Sequence, residues 1–174
     1  NHSMQTLFTN PKVDPSQHPD LNQYFAFGIS VDCVVFGYDG VDVKVLLIKR
    51  GTEPFLDYQA IPGDLVHHKE DAVTATQRVL KDLTGLQNIY LEQLQTFAGV
   101  DRHPLGRVAT IAYFSLLRIE DYNPKPSSWA TDAQWTPIQQ LGEMAFDHKE
   151  IFDVALERLQ RRVRHKPVGF ELLP

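Results

Sequence analysis

The segment Ile61 to Leu86, IPGDLVHHKEDAVTATQRVLKDLTGL, constrains the fold more than any other part of the chain. Ala72, Val73, Thr76, Val79, Leu80 and Leu83 recur at helical spacing and form a broad, mostly apolar arc. The spacing predicts a helix over 70–84. Acidic Glu70 and Asp71 suit its first turn, and Gly85 suits its stop. Val79, Asp82 and Leu83 share one side of that helix, because residues three and four apart are neighbours. Only Asp82 of the three is charged, so the side reads either as a packing face or as a catalytic face without its acids.

The flanking pattern is β-rich. Ser30 to Phe36 and Val43 to Ile48 are apolar runs separated by Tyr38-Asp39-Gly40, and Asp-Gly between such runs signals a hairpin. Lys49-Arg50-Gly51 ends the second run. A short strand is expected near Tyr58 to Ile61, and two more over 89–98 and 108–118. The polar loop GVDRHPLGR at 99–107 joins the last two. Trp135 to Ile138 reads as another strand. Ile151, Ala155, Leu159 and Val163 mark a second amphipathic helix that begins near Asp147 and ends before Pro167. The order predicts an α/β fold, a mixed sheet with a helix on either face.

With 174 residues, 43% hydrophobic and 22% charged, the chain suits one globular domain. No apolar run is long enough to span a membrane, and no secretory pattern opens the chain. Asn1-His2-Ser3 ahead of Met4 reads as a cloning remnant, and residues 1–20 as that remnant with a Pro-containing N-terminal arm. Residues 21–166 read as the domain, and 167–174 as the start of a linker. The single cysteine, Cys33, sits in an apolar run. It excludes an internal disulfide, makes a cysteine-based zinc site unexpected, and fits a reducing cytoplasm. A net charge of −5 speaks against nucleic-acid binding by this piece as a whole. Arg158, Arg161, Arg162, Arg164 and Lys166 crowd near the C-terminus, where cations complement a helix dipole.

The 61–86 segment resembles the Nudix box, G-x5-E-x7-R-E-U-x-E-E-x-G-U with U aliphatic. Asp64 stands at the first glycine, Glu70 at the first glutamate and Arg78 at the arginine. Leu80, Gly85 and Leu86 also match. Val79, Asp82 and Leu83 stand where the remaining glutamates belong. The Pro62-Gly63 before the box, the preceding hairpin and the Trp135-x-Pro137 strand with its terminal helix are Nudix-like too, so the resemblance covers roughly 25–166. It implies a Nudix-type α/β/α sandwich containing the box loop-helix, and a ligand with a diphosphate.

Nudix enzymes cleave such diphosphates with divalent metals held by helix carboxylates, which form a compact platform of hard oxygen donors. Val79 and Leu83 cannot ligate a metal, so efficient hydrolysis is not expected. The same change removes repulsion toward a pyrophosphate of about two negative charges, which arginines can then hold directly.

The segments 97–117 and 145–174 resemble the N-terminal domain of the Nudix-related transcriptional regulators of NAD metabolism, the NrtR type. That resemblance implies an effector domain that binds ADP-ribose without a required cofactor. It also implies a homodimer through the Nudix-like domain, and operator DNA bound only by a winged helix-turn-helix domain absent from this fragment. Binding of the effector would relieve repression of genes for NAD biosynthesis or salvage. The alternatives are an active ADP-ribose pyrophosphatase with a non-standard acid set around Glu70 and Asp82, and a bare dimerisation module.

Arg50, Gly63, Asp64, Glu70, Arg78, Asp82, Arg102, His103 and Arg107 are the candidate ligand-binding positions; no catalytic or metal-ligating residue is assigned. Arg50 is equally a solvated strand end, and Arg78 equally a structural partner of Glu70. His67-His68 reads as an exposed loop. Tyr24, Phe25, Phe27, Phe55 and Tyr58 are candidates to hold adenine, and most of them are expected in the core.

Overall fold

Period-2 alternation in the first apolar run builds the centre of the molecule. The computed structural model describes residues 11–165. Strand β1, Gly28–Tyr38, pairs antiparallel with β2, Val43–Arg50, through Phe36 opposite Val45. It runs parallel to β6, Val108–Arg118, along its whole length. Strand β3 is Gln59–Ala60, β4 Gly63–Leu65, β5 Glu92–Phe97 and β7 Ala130–Pro137. The seven-stranded mixed sheet has the order β3-β2-β1-β6-β5, with β4 on β1 and β7 on β2.

Alternate residues of β1 feed two cores. Val31, Cys33 and Val35 pack with Val79, Leu80 and Leu83 of helix α1, Ala72–Thr84. Val34 and Phe36 pack with Ile151, Phe152, Ala155 and Leu159 of helix α2, His148–His165. The expected sheet with a helix on either face is therefore present.

Several boundaries differ from the periodicity, three of them at elements that frame the site. Helix α1 begins two residues later than expected. Asp71 has extended backbone, and its side chain accepts the Thr74 N–H at 2.8 Å, so it caps the helix rather than occupying the first turn. Gly85 ends the helix at φ 75, where a left-handed residue is needed. Strand β4 was not anticipated; three residues of turn-like composition become a strand because β1 offers them a free edge. Strand β7 starts five residues earlier than Trp135, paired along β2.

Two residues of the helical arcs, Val73 and Val163, face solvent. Tyr24, Phe25 and Phe27 are also exposed, contrary to the core expectation. The Pro-containing arm carries two short 3-10 helices, Pro15–Gln17 and Pro19–Tyr24. The C-terminal arginines act in packing: Arg162 pairs with Glu92 and Arg158 donates to the Leu94 carbonyl, both on β5. No helix is long and apolar enough to cross a membrane among the described residues. The linker expected over 167–174 lies outside them.

Candidate ligand cleft

Asp32 is buried in the sheet, and its surroundings organise the site. It alternates with Val31 and Cys33, so its carboxylate emerges on the face that carries α2. It stands opposite Gly63 of β4. Only 4% of the residue is exposed. Thr110 Oγ1 donates to Oδ2 at 2.6 Å, and His148 Nε2 lies 3.2 Å from Oδ1. The Ile61 N–H donates to His148 Nδ1 at 3.0 Å, which places the ring proton on Nε2, facing Asp32.

Arg102 completes this network. Its Nε and NH2 donate to the two carboxylate oxygens of Asp147 at 2.9 and 2.8 Å, and NH2 stands 3.8 Å from Asp32. The pairing is two-pointed and buried, the geometry in which arginine and carboxylate bind each other most strongly. It ties the loop before β6 to the start of α2.

Beside this network lies a cleft of about 340 Å³, within the ordinary range for a small-molecule site. Asp32, Arg102, His103 and His148 are among its lining residues. Arg50, Gly63, Asp64, Leu65, Trp129 and Phe146 also line it. The Arg50 guanidinium carbon lies 4.6 Å from the Trp129 ring centroid and 5.0 Å from that of Phe146. These are cation–π distances. Burial lowers the Arg50 pKa, while Asp64, Asp32 and Glu53 oppose that shift. Phe146 also packs on Phe55 at 4.6 Å and on His103 at 5.0 Å. Burial and the Arg102 charge lower the His103 pKa. Phe55, Asp57 and Phe146 all hold positive φ, a conformation bulky side chains rarely adopt, and such residues cluster at ligand sites.

Five of the nine sequence candidates meet at this cleft: Arg50, Gly63, Asp64, Arg102 and His103. The other four do not line it. Arg78 Nε donates to both oxygens of Glu70 at 3.2 and 3.0 Å, and its NH2 reaches the Leu65 carbonyl at 3.0 Å. The pair therefore braces the loop between β4 and α1. Hydrogen bonds from Arg78 and from the His67 N–H hold the Glu70 carboxyl down to about 2. Asp82 is half-exposed, 3.9 Å from Arg78. Arg107 is exposed, its guanidinium 5.4 Å from the Phe27 ring.

Of the two readings of the side that carries Val79 and Leu83, the packing face holds for these two residues. They are 2% and 1% exposed and sit in the α1 core, on the opposite sheet face from Asp32. Sequence reasoning missed Asp32, Trp129, Phe146, Asp147 and His148. A lone aspartate in the apolar run VDCVVF was an available signal for Asp32. The others are brought in from 87 or more residues away in some cases, as His148 is to Ile61.

A NUDIX domain model matches residues 26–155. The chain belongs to the NUDIX domain family. It is 29% identical over 150 residues to the ADPR responsive transcriptional repressor NtrR of Acinetobacter baylyi, covering 84% of this chain and 60% of that protein's length. It is 34% identical over 135 residues to the ADP-ribose pyrophosphatase of Methanocaldococcus jannaschii, covering 76% of each. The NUDIX domain of Shewanella oneidensis NrtR, solved in complex with ADP ribose, superposes with a TM-score of 0.73 at 29% identity. That match covers 84% of this chain and 94% of the other.

Enzymes of the Nudix kind use divalent metals, and the residues here do not fit one at the box. Of the positions that would supply carboxylates, two hold buried Val79 and Leu83, Asp82 is a single half-exposed acid beside Arg78, and Glu70 is committed to Arg78. Among the described residues, no group of three or more His, Cys, Asp or Glu side chains is placed to hold a metal ion.

Proposed function

We propose that this NUDIX domain is a non-catalytic sensor that binds ADP-ribose in the cleft between Arg50 and His103, as the effector domain of a transcriptional repressor of NAD metabolism. The observation that carries the reading is the burial of Val79 and Leu83 in the α1 core, which removes the helix face where a hydrolase of this family would hold its metal. Similarity to the A. baylyi repressor and to the ADP-ribose-bound NrtR domain supports the choice of ligand. The cleft aromatics Trp129 and Phe146, the latter backed by Phe55, suit an adenine ring, and buried Arg50 suits a phosphate. A homodimer through this domain, and release of operator DNA by the whole protein on effector binding, belong to the same proposal. Coupling of that kind requires the effector to bind two arrangements of the repressor with different affinity.

Isothermal titration calorimetry tests the ligand. Saturable ADP-ribose binding that survives EDTA is expected. Absence of binding, or binding only with Mg²⁺, defeats the sensor reading.

A second reading is favoured by the 34% identity to an ADP-ribose pyrophosphatase. It requires Mg²⁺- or Mn²⁺-dependent release of AMP and ribose 5-phosphate from ADP-ribose. A purified chain that releases neither with either metal removes it.

A further inference from the structure

Two arginines line the cleft, and their surroundings differ in a way that separates their roles. The Arg102 side chain is 4% exposed and committed to Asp147 at two points, with Asp32 close by. Its charge is already balanced inside the protein. Arg50 is 8% exposed, yet among the described residues no carboxylate pairs with it. Its Nε donates to the Pro54 carbonyl at 2.7 Å, and its carbon lies over Trp129 and Phe146. Among the described residues no hydrogen-bond acceptor meets the remaining guanidinium nitrogens, and Arg50 lines the cleft. Asp64, Asp32 and Glu53 act on Arg50 only from beyond ion-pair distance, and a partly desolvated cation with no carboxylate in direct contact gains from an incoming anion.

The plate on which Arg50 rests is itself fixed at two points. The Trp129 indole N–H donates to Asp64 Oδ2 at 3.1 Å, while the Leu65 N–H holds Oδ1 of the same carboxylate at 2.8 Å. The Trp129 carbonyl accepts the N–H of Gly51, the residue after Arg50, at 2.9 Å. A Cβ on Gly51 would stand 2.6 Å from that carbonyl oxygen, so the close approach requires glycine. Asp64 carries the same sign of charge as a phosphate, so a direct contact between the two is unfavourable. Its useful contact is with the indole.

We infer that Arg50 is the residue that takes the phosphate charge of the diphosphate ligand, and that Asp64 is a positioning residue that aims Arg50 by anchoring Trp129. The inference rests on the ADP-ribose reading and assigns the specificity within that site. Arg102 then positions the start of α2 and makes no phosphate contact.

The test is calorimetric titration of ADP-ribose into the full 174-residue chain and its variants, with the melting temperature of each as a fold control. Arg50→Ala is expected to weaken binding about 10- to 100-fold, the worth of one or two charge-assisted hydrogen bonds. Arg50→Lys recovers little of it, because an ammonium lacks the flat fork that lies on a ring. Asp64→Ala and Trp129→Phe each remove one end of the same hydrogen bond. Each is expected to weaken binding several-fold, and the double variant no more than the worse single one. Asp64→Asn keeps one oxygen for the indole N–H but turns its NH2 toward the Leu65 N–H, so it is expected to restore part of the loss.

Additive effects of Asp64→Ala and Trp129→Phe overturn the positioning role. Wild-type binding by Trp129→Phe overturns it too, since the indole hydrogen bond would then position nothing. If Asp64→Ala does not fold, Asp64→Asn and Trp129→Phe decide between the same outcomes. Tight binding by Arg50→Ala defeats the inference while leaving the ADP-ribose reading intact. A wild-type chain that binds no ADP-ribose removes both.

Discussion

A Cβ added to Gly63 would stand 1.9 Å from Oδ1 of Asp32 and 2.7 Å from the Val31 carbonyl oxygen. The two residues face each other across β1 and β4, so the glycine makes room for a buried carboxylate and its partners. Gly63→Ala must push β4 away or rotate Asp32 out of the reach of Thr110 and His148. A loss of about 1–3 kcal/mol is expected, as for other overpacked interiors. Urea denaturation read by circular dichroism checks it; an unchanged midpoint would show that the strand moves freely.

The Arg102–Asp147 pair predicts a contrast between two arginines of one loop. Arg102→Ala leaves Asp147 and Asp32 without their cation inside the fold. Breaking a buried pair on one side costs about 3–5 kcal/mol. Arg107→Ala, on an exposed side chain, should stay within about 0.5 kcal/mol of the parent. Thermal melting of both variants at one pH distinguishes them. Equal effects would contradict the burial of Arg102.

Glu70 predicts an acid limb in the stability curve. Its carboxyl titrates near 2 in the folded chain against 4.5 for the free side chain, because Arg78 and the His67 N–H stabilise the charged form. The folded pKa is depressed, so this contribution is complete above about 4.5 and is lost as pH falls toward 2. Glu70→Gln should flatten that part of the curve relative to wild type and leave the slope above pH 5 unchanged. Denaturation midpoints collected from pH 2 to 6 give the comparison. Curves that remain parallel throughout would rule out the Glu70–Arg78 pair as the source.

Val79→Glu with Leu83→Glu would place two carboxylates where the Nudix box pattern has them. Both side chains are buried against Val31 and Cys33, so two unpaired acids in that core should cost several kcal/mol and unfold the domain. Far-UV circular dichroism with a Mg²⁺ titration checks the outcome. A folded double variant that binds Mg²⁺ would restore the reading of an open metal-binding face.

Most of the fold was legible from local pattern. The hairpin over 30–48, the helix ending at Gly85, the strand over 108–118 and the second helix all follow from periodicities of two or 3.6 and from turn and stop residues. Those signals act over a few residues, and so does the Nudix spacing from Glu70 through Arg78 to Gly85. The site was legible only in part. Arg50 was found as the polar end of an apolar run, and His103 within the polar loop at 99–107. Trp129 and Phe146 were not, because nothing near them in sequence marks their meeting with Arg50.

The sequence by itself determined the family, the element order and the absence of carboxylates at 79 and 83. It could not say where those two side chains point, since an aliphatic at helical spacing fits a core and a cleft equally well. Only the tertiary structure placed them in the core, committed Arg102 to Asp147 across 45 residues, and left Arg50 with no carboxylate in direct contact among the described residues. Charge pairing and burial are decided by contacts between distant segments, and those exist only once the sheet has brought β1, β4 and the start of α2 together.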